Sequence, residues 1–258
     1  MLRADGTAAN GSILVESFIP GREVALEGLL TGGNLRVLAL FDKPDPLDGP
    51  YFEETLYITP SRLSENEQRE VAGMASAAAA ALGLRHGPVH AELRLGPGGP
   101  YVVEIAARSI GGLCSTTLTF GTGLSLEDVI LRHAVGQDVA PPSREHTAAG
   151  VMMLPIPSGG TLLAVRGREE ALGVPGIHDL DVTIPLGQRV VPLPEGDRYL
   201  GFLFARAEIP EDVEAALRTA HQRLGFVIGD PDDPAAPCLQ ASPRRLKLPV
   251  LTGGPAPS

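Results

Sequence analysis

The stretch VHAELRLGPGGPYVVEIAAR, residues 89–108, holds two alternating runs on either side of a turn rich in glycine and proline. Side chains alternate between the two faces of a strand, so this pattern predicts a β-hairpin. His90 and Glu92 then share one face of the first strand. If the turn is centred on Gly98, Glu92 lies directly opposite Glu104 on the second strand.

Two carboxylates that face each other across a hairpin need a physical reason, because like charges in cross-strand pairs repel. The best explanation is a divalent cation bound between Glu92 and Glu104. The apolar neighbours of Glu104 indicate that this residue is buried. The alternative is a pair of ordinary surface salt bridges, in which Glu92 is neutralised by Arg94 or Arg108.

The composition is that of a globular protein. The chain has 258 residues, of which 43% are hydrophobic and 20% charged, and its formal net charge is −10. This charge argues against a general nucleic-acid binder, which needs a basic surface. Cys114 and Cys238 are far apart and offer no disulfide framework, which favours a reducing compartment. Without a visible secretory signal or a stretch long enough to span a bilayer, we expect a cytoplasmic protein with no membrane partner.

Hydrophobic periodicity and turn residues predict short strands on both sides of the hairpin. Three helices begin at capping patterns: one at Ser64 with Glu67, one at Ser125 with Asp128, and one at Pro210. They are expected to end near residues 82, 135 and 224. The predicted strands cover 12–18, 22–30, 35–41, 52–58, 150–155, 160–166, 188–192, 199–207 and 225–228.

The fold class that follows is α+β. Pro141 and Pro142 mark a change of composition and the boundary between two units. The predicted organisation is a flexible start (1–11), a first unit (12–145), a small second unit (146–229) and a disordered tail (230–258).

Six motifs in order along the chain resemble the ATP-grasp superfamily. The resemblance is closest to its carboxylate–amine ligases, especially the L-amino acid (dipeptide) ligase branch. It covers roughly residues 12–136, and residues 148–228 resemble the small C-terminal domain of those ligases. The motifs are VESFIPGRE (15–23), DK (42–43), YFEE (51–54), GPVHAE (87–92), VEIAAR (103–108) and GG (111–112).

The resemblance implies an ATP-grasp C-terminal subdomain, an antiparallel sheet flanked by helices, followed by a small β-rich C-terminal domain. It implies an ATP- and Mg²⁺-dependent ligase, with Mn²⁺ as a second candidate ion. Such an enzyme joins a carboxylate and an amine, here expected to be amino acids, through an acyl phosphate. A biotin-carboxylase-like or purine-biosynthetic ATP-grasp enzyme is the first alternative. A non-catalytic ATP-binding or assembly module is the second.

The resemblance also implies a nucleotide site on the segment that follows residue 15. By resemblance, Glu16, Ser17 and Ile19 lie at the adenine ring, and Glu23 accepts hydrogen bonds from the ribose hydroxyls. The alternative is that Glu16 is a strand-edge residue and Glu23 is a solvated one.

Glu92 and Glu104 resemble the metal-binding carboxylates of the family, which agrees with the oxygen ligands that Mg²⁺ requires. The family's third metal ligand is an asparagine, and Ala106 stands at that position, so the usual count of two ions is open. Arg108 resembles the catalytic arginine, whose fixed charge suits phosphoryl and acyl-phosphate oxygens.

The substrate residues follow from the same resemblance. Glu54, with Glu53 as its rival, resembles the acid that receives the amino group of the first substrate. His90 shares the Glu92 face and is a candidate substrate contact. The pair Gly111 and Gly112 resembles the loop that approaches the substrate carboxylate. The alternative is a pair of turn glycines that need a positive φ.

The glycine-rich phosphate loop and the lysines of an ATP-grasp N-terminal half have no counterpart in these residues. We therefore expect the chain to be the C-terminal half of a ligase, with a separate N-terminal half as a partner. A homodimer is compatible with the sequence. Lys43 is expected to be an exposed loop lysine.

Overall fold

The computed structural model describes residues 15–48, 53–120, 123–137 and 147–230. A short 3-10 helix, Cys114–Thr117, precedes the second helix. The helices are α1 (Glu65–Ala81), α2 (Leu126–Ala134), α3 (Arg168–Leu172) and α4 (Pro210–Arg223). The strands are β1 (Arg22–Thr31), β2 (Asn34–Lys43), β3 (Leu56–Thr59), β4 (Gly87–Gly96), β5 (Gly99–Ala106), β6 (Ala148–Leu154), β7 (Gly160–Arg166), β8 (Ile177–Asp181), β9 (Arg189–Val190), β10 (Gly201–Ala207) and β11 (Gly225–Gly229).

The strands form one large sheet and one small sheet. The large sheet has eight strands in the order β5-β4-β1-β2-β3-β6-β10-β8, and the small sheet has the order β11-β7-β9. Every described pair of neighbouring strands is antiparallel. The α+β class, with antiparallel strands flanked by helices, is confirmed.

Strand β1 lies in the interior of the large sheet and separates two layers. Its Val24 and Leu26 face α1 and pack against Val71 and Ala75 of that helix. The opposite face carries a second apolar cluster, which includes residues of β6 and β10. It also carries a charged row, made of Glu23 and Glu27 from β1, Lys43 from β2, and His90, Glu92 and Arg94 from β4. That row forms the floor of the candidate site.

The hairpin of β4 and β5 pairs Glu92 with Glu104, as predicted, but the ladder is not regular. Gly96 pairs with Gly99, and the register shifts between Glu92 and Leu93, so that Val103 is an extra residue in β5. This β-bulge moves Glu104 onto the face of Glu92. The shift also places Tyr101 opposite Arg94, and therefore on the same face as that side chain.

The predicted helix starts are confirmed. Ser64 and Glu67 form a reciprocal capping box at α1, and Ser125 and Asp128 form another at α2. Each box satisfies backbone N–H groups that have no partner inside the first turn. Helix α4 begins at Pro210, where the missing N–H costs nothing.

Four features differ from the predictions. Residues 15–18 form no strand, and Lys43 is the last residue of β2 instead of a loop residue. Helix α3 and strand β8 were not predicted. The five-residue helix α3 follows Gly167, which has a φ of 74° and provides no side-chain cap, so the usual start pattern is absent.

The first unit and the second unit share the large sheet. Strand β6 pairs with β3 on one side and with β10 on the other, and β8 pairs with β10. The predicted boundary at residues 141 and 142, the start at 1–11 and nearly all of the tail, 231–258, lie outside the described residues. Among the helices described, none has the length and the apolar character needed to cross a membrane.

Candidate nucleotide and substrate site

Two adjoining cavities lie over the polar face of the large sheet and share Glu54 and Glu92. The first, of about 320 Å³, is lined by Glu16, Ser17, Phe18, Ile19, Glu23, Leu47, Glu54, Glu92, Arg94, Val102 and Val103. The second, of about 370 Å³, is lined by Glu54, Tyr57, His90, Glu92, Glu104, Arg108, Ser109, Ile110, Gly111, Gly112, Cys114, Met153 and Tyr199. The residues predicted for the nucleotide thus line one cavity, and those predicted for the substrates line its neighbour.

Arg94 organises the first cavity, although from the sequence it was only a candidate salt-bridge partner of Glu92. Its Nε donates to Glu23 at 2.7 Å, and its two terminal nitrogens donate to the carbonyl oxygens of Ile19 (2.8 Å) and Leu47 (2.7 Å). The guanidinium also lies 4.8 Å from the centre of the Phe18 ring, within the range of a cation–π contact. Arg94 therefore holds the predicted adenine segment against the sheet.

Glu23 is a buried residue, so its alternative interpretation as a solvated carboxylate is wrong. It accepts hydrogen bonds from Arg94 and from Lys43. The β1–β2 register places it opposite Lys43 because Leu38 is an extra residue in β2 and shifts the ladder by one position. A regular hairpin would have paired Glu23 with Asp42.

Lys43 is the centre of the charged row, and the expectation of an exposed loop lysine is wrong. Its side chain is only 3% exposed. The Nζ atom donates to Glu23, to Glu54 at 2.6 Å and to Glu92 at 3.3 Å. Burial disfavours the charged form, but the three carboxylates outweigh it and raise the pKa of Lys43. The ammonium therefore stays charged between three acids.

Glu23, Glu54 and Glu92 bring carboxylate oxygens within 4.8 Å of one another. Burial raises the pKa of Glu54, an effect that Lys43 opposes and the repulsion from Glu92 reinforces. At Glu92, burial is outweighed by the hydrogen bond from His90 and the charge of Lys43, so the pKa falls to about 2. Glu92 is therefore ionised at neutral pH.

His90 connects Glu92 to Glu27, a buried acid that was not among the predicted site residues. One ring nitrogen of His90 contacts Glu27 and the other lies 3.3 Å from Glu92. Burial opposes the charge of the imidazole, but the hydrogen bonds to the two carboxylates raise the pKa of His90 to about 9. Glu27 also accepts a hydrogen bond from the backbone N–H of Ile110 at 3.1 Å. The row thus fixes the loop that carries Gly111 and Gly112.

Glu104 and Arg108 lie at the open edge of the second cavity. Arg108 donates to Glu104 at 3.2 Å, and both side chains are more than half exposed, so the expectation of a buried Glu104 is wrong. Glu92 is ionised and Glu104 is accessible, and the two residues offer carboxylate oxygens from opposite positions of the β4–β5 hairpin. This donor set fits one Mg²⁺ ion with water completing its shell. Ala106, which pairs with His90, adds no ligand.

The wall of the second cavity opposite the charged row comes from both units of the chain. Glu54 lines both cavities and Glu53 lines neither. Gly112 has a φ of 60°, a conformation that side chains rarely adopt, and a Cβ there would lie 3.6 Å from Sδ of Met153. Burial raises the pKa of the Cys114 thiol in the same wall to about 12. This part of the cavity is apolar and uncharged.

Two family models match the chain. Residues 3–117 match the ATP-grasp domain, and residues 152–229 match the L-amino acid ligase C-terminal domain 2. Among curated proteins, carnosine synthase 1 of Gallus gallus is 32% identical over 182 residues, which are 64% of this chain and 19% of that protein.

Solved structures support the same assignment. The L-amino acid ligase from Bacillus licheniformis superposes with a TM-score of 0.72 at 30% identity, over 82% of this chain and 53% of that one. The phosphoribosylglycinamide synthetase from Anaerococcus prevotii has a TM-score of 0.66 over 82% of this chain and 54% of its own, but only 14% identity, which is a likeness of fold alone. The chain thus spans about half of these structures and a fifth of the carnosine synthase. The chain therefore contains an ATP-grasp domain, followed by an L-amino acid ligase C-terminal domain.

Proposed function

We propose that these residues form part of an ATP- and Mg²⁺-dependent ligase that joins the carboxylate of one amino acid to the amine of another. The observation that carries the proposal is the pair of adjoining cavities with Glu54 and Glu92 in common. A nucleotide in the first cavity and a carboxylate in the second would meet at these two acids. The match of residues 152–229 to an amino acid ligase domain supports amino acids as substrates.

In this proposal the first cavity takes the nucleoside. Residues Glu16, Ser17 and Ile19 border the adenine, and Glu23 accepts from the ribose. Glu92 and Glu104 hold one Mg²⁺, which would neutralise charge on the phosphates. Mn²⁺ offers the same preference for oxygen ligands.

The reaction divides into two displacements. A carboxylate oxygen of the first amino acid attacks the γ-phosphorus of ATP, the bond to the β-phosphate oxygen breaks, and ADP leaves. The amine of the second amino acid then attacks the acyl carbon, inorganic phosphate leaves, and the amine loses a proton. Arg108 lies where its charge stabilises the oxygens that become negative in both steps.

Substrate placement is assigned to the second cavity. Glu54 receives the ammonium group of the first amino acid, and the Gly111–Gly112 backbone approaches its carboxylate. His90 positions Glu92 and contributes positive charge. Because the chain spans about half of the related structures, we assign the opposite wall of the nucleotide site to further polypeptide, in the same or a separate chain.

The proposal is tested by ATP consumption that depends on amino acids, measured in the assembly that contains this chain. Glu104→Gln should lower turnover about 100-fold or more, because a charge-stabilising group at the reacting centre is lost. Glu65→Gln, whose side chain is 93% exposed on α1, is the matched control. Unchanged turnover in Glu104→Gln would exclude the metal role.

Two further measurements separate the alternatives. A screen of ATP consumption with amino-acid pairs and with bicarbonate distinguishes an amino acid ligase from a carboxylase-like enzyme. Mg-ATP binding measured by calorimetry addresses the non-catalytic alternative, since no binding at millimolar ATP in the chain or in the completed assembly would favour an assembly module.

A further inference from the structure

We infer that Arg218 of α4 and Asp45 are positioning residues for the substrate cavity, through which the C-terminal unit sets the distance between Lys43 and Glu54. The inference rests on the proposed function for what Glu54 binds. Its structural part rests on an ion-pair network that lies outside both cavities described above.

The first part of the network joins Asp45, which follows β2, to Thr55, which precedes β3. Arg218 donates to one oxygen of Asp45 at 2.6 Å, and the other oxygen of Asp45 accepts from the hydroxyl of Thr55. Asp45 is two residues after Lys43, and Thr55 immediately follows Glu54. The Asp45–Thr55 hydrogen bond is therefore a second link between the two segments that the Lys43–Glu54 ion pair joins.

The second part holds the segment before Lys43. Arg62 donates to Asp42 at 2.8 Å and to Glu214 of α4 at 2.8 Å. Arg218 also donates to Glu214, from Nε at 3.0 Å and from a terminal nitrogen at 2.9 Å. Helix α4 is thus connected to both sides of Lys43, through Asp42 and through Asp45.

Four side chains of the network, those of Asp42, Asp45, Arg62 and Glu214, border a third cavity of about 740 Å³ that also contacts the charged row. Its lining residues are Gly21, Arg22, Glu23, Val24, Asp42, Lys43, Pro44, Asp45, Pro46, Leu47, Arg62, Leu63 and Glu214. Glu23 lines both this cavity and the first one, and Lys43 lines this cavity while its Nζ contacts Glu54 and Glu92 of the first.

The network is not needed to attach α4 to the sheet. Val213, Ala216, Leu217 and Ala220 of this helix are buried in an apolar cluster with residues of β3, β6 and β10. Partly exposed ion pairs each add only about 0–1 kcal/mol to stability. Their main effect here is geometric, because they fix where Lys43 and Glu54 lie relative to the sheet.

The closing experiment reverses one charge and then restores the pair. Arg218→Glu should raise the KM for the carboxylate-donating amino acid about tenfold, with kcat changed less than about twofold, because Glu54 binds substrate without reacting. Arg223→Glu is the matched control, since Arg223 lies on the same helix and donates to a backbone oxygen of Glu170. Arg218→Glu combined with Asp45→Arg should return the KM to within about threefold of the wild type.

Hydrogen exchange gives a readout that needs no activity. In Arg218→Glu, exchange should rise at residues 43–48 and 53–55 and recover in the double variant, while Arg223→Glu leaves it unchanged. If circular dichroism shows that Arg218→Glu is unfolded, Arg218→Gln is used in its place, because it removes the charge without reversing it. An unchanged exchange pattern together with an unchanged KM would overturn the inference. If the wild type has no ligase activity while Arg218→Glu shows these exchange changes, the proposed function is overturned and the structural part of the inference is not.

Discussion

The Nζ atom of Lys43 lies 2.6 Å from a carboxylate oxygen of Glu54, although Lys43 is buried and Glu54 belongs to a different segment. The same nitrogen contacts Glu23 and Glu92. One cation thus joins an acid of the first cavity to the two acids that both cavities share. The charged row is therefore arranged around this lysine.

Replacement of Lys43 should be strongly destabilising. Lys43→Met leaves three closely spaced, partly buried carboxylates without their cation, and removing one partner of a buried ion pair typically costs about 3–5 kcal/mol. Urea unfolding at pH 7 measures the loss. Part of it should be recovered at pH 5, where Glu54, whose pKa is raised, takes up a proton more readily. Arg69→Met is the control because its side chain is 70% exposed, and an equal loss there would contradict the prediction.

The charge of His90 should make stability depend on alkaline pH. Its pKa is raised to about 9 in the folded protein, against about 6.5 in an unfolded chain. The stabilisation is therefore complete below about pH 6.5 and is lost as the pH rises through about 9, by as much as about 3 kcal/mol. The free energy of unfolding of the wild type should approach that of His90→Asn over this range. His86→Asn, at an exposed position, should keep a constant difference from the wild type.

Met153 should control which side chains the second cavity accepts. Met153→Ala enlarges the space behind Gly112, so larger amino acids should gain in relative kcat/KM by about tenfold, the range that one or two methylene groups provide. Met152 is the matched control, because it is equally buried but faces the other core cluster. If the two variants shift the substrate profile equally, the assignment of this wall is wrong.

Arg94→Lys should weaken Mg-ATP binding without unfolding the chain. Lysine keeps the charge but cannot reproduce the three donations to Glu23, Ile19 and Leu47. We expect a roughly tenfold higher Kd by calorimetry, because the segment that Arg94 anchors must then be ordered on binding, at a cost of about 1.4 kcal/mol. Arg22→Lys, at a side chain that is 65% exposed, should leave the Kd unchanged.

Local patterns were sufficient for much of the fold. Both capping boxes, the proline at the start of α4 and the two main hairpins depend on neighbouring residues and could be predicted from the sequence. The pairing of Glu92 with Glu104 was also predicted, but from a regular ladder centred on Gly98. The actual turn lies one register position away, and the bulge at Val103 compensates for it.

The charged row was harder to predict, because it depends on registers between strands that are distant in sequence. Lys43 meets Glu23 only because of the extra residue in β2. Arg94 and Glu27 gain their roles from the β1–β4 pairing, which no local pattern specifies. Charge alternation along 89–94 did indicate a polar face, but its partners became visible only with the sheet order.

The antiparallel pairing of β3 with β6 has a consequence for protein engineering. Recombination between related ligases would be planned at the change of composition that Pro141 and Pro142 mark. A chimera joined there would inherit β3 from one parent and β6, with Met152 and Met153, from the other. A graft of the C-terminal unit should therefore include β3 and the residues that precede it, so that both strands of the β3–β6 pair come from the same parent.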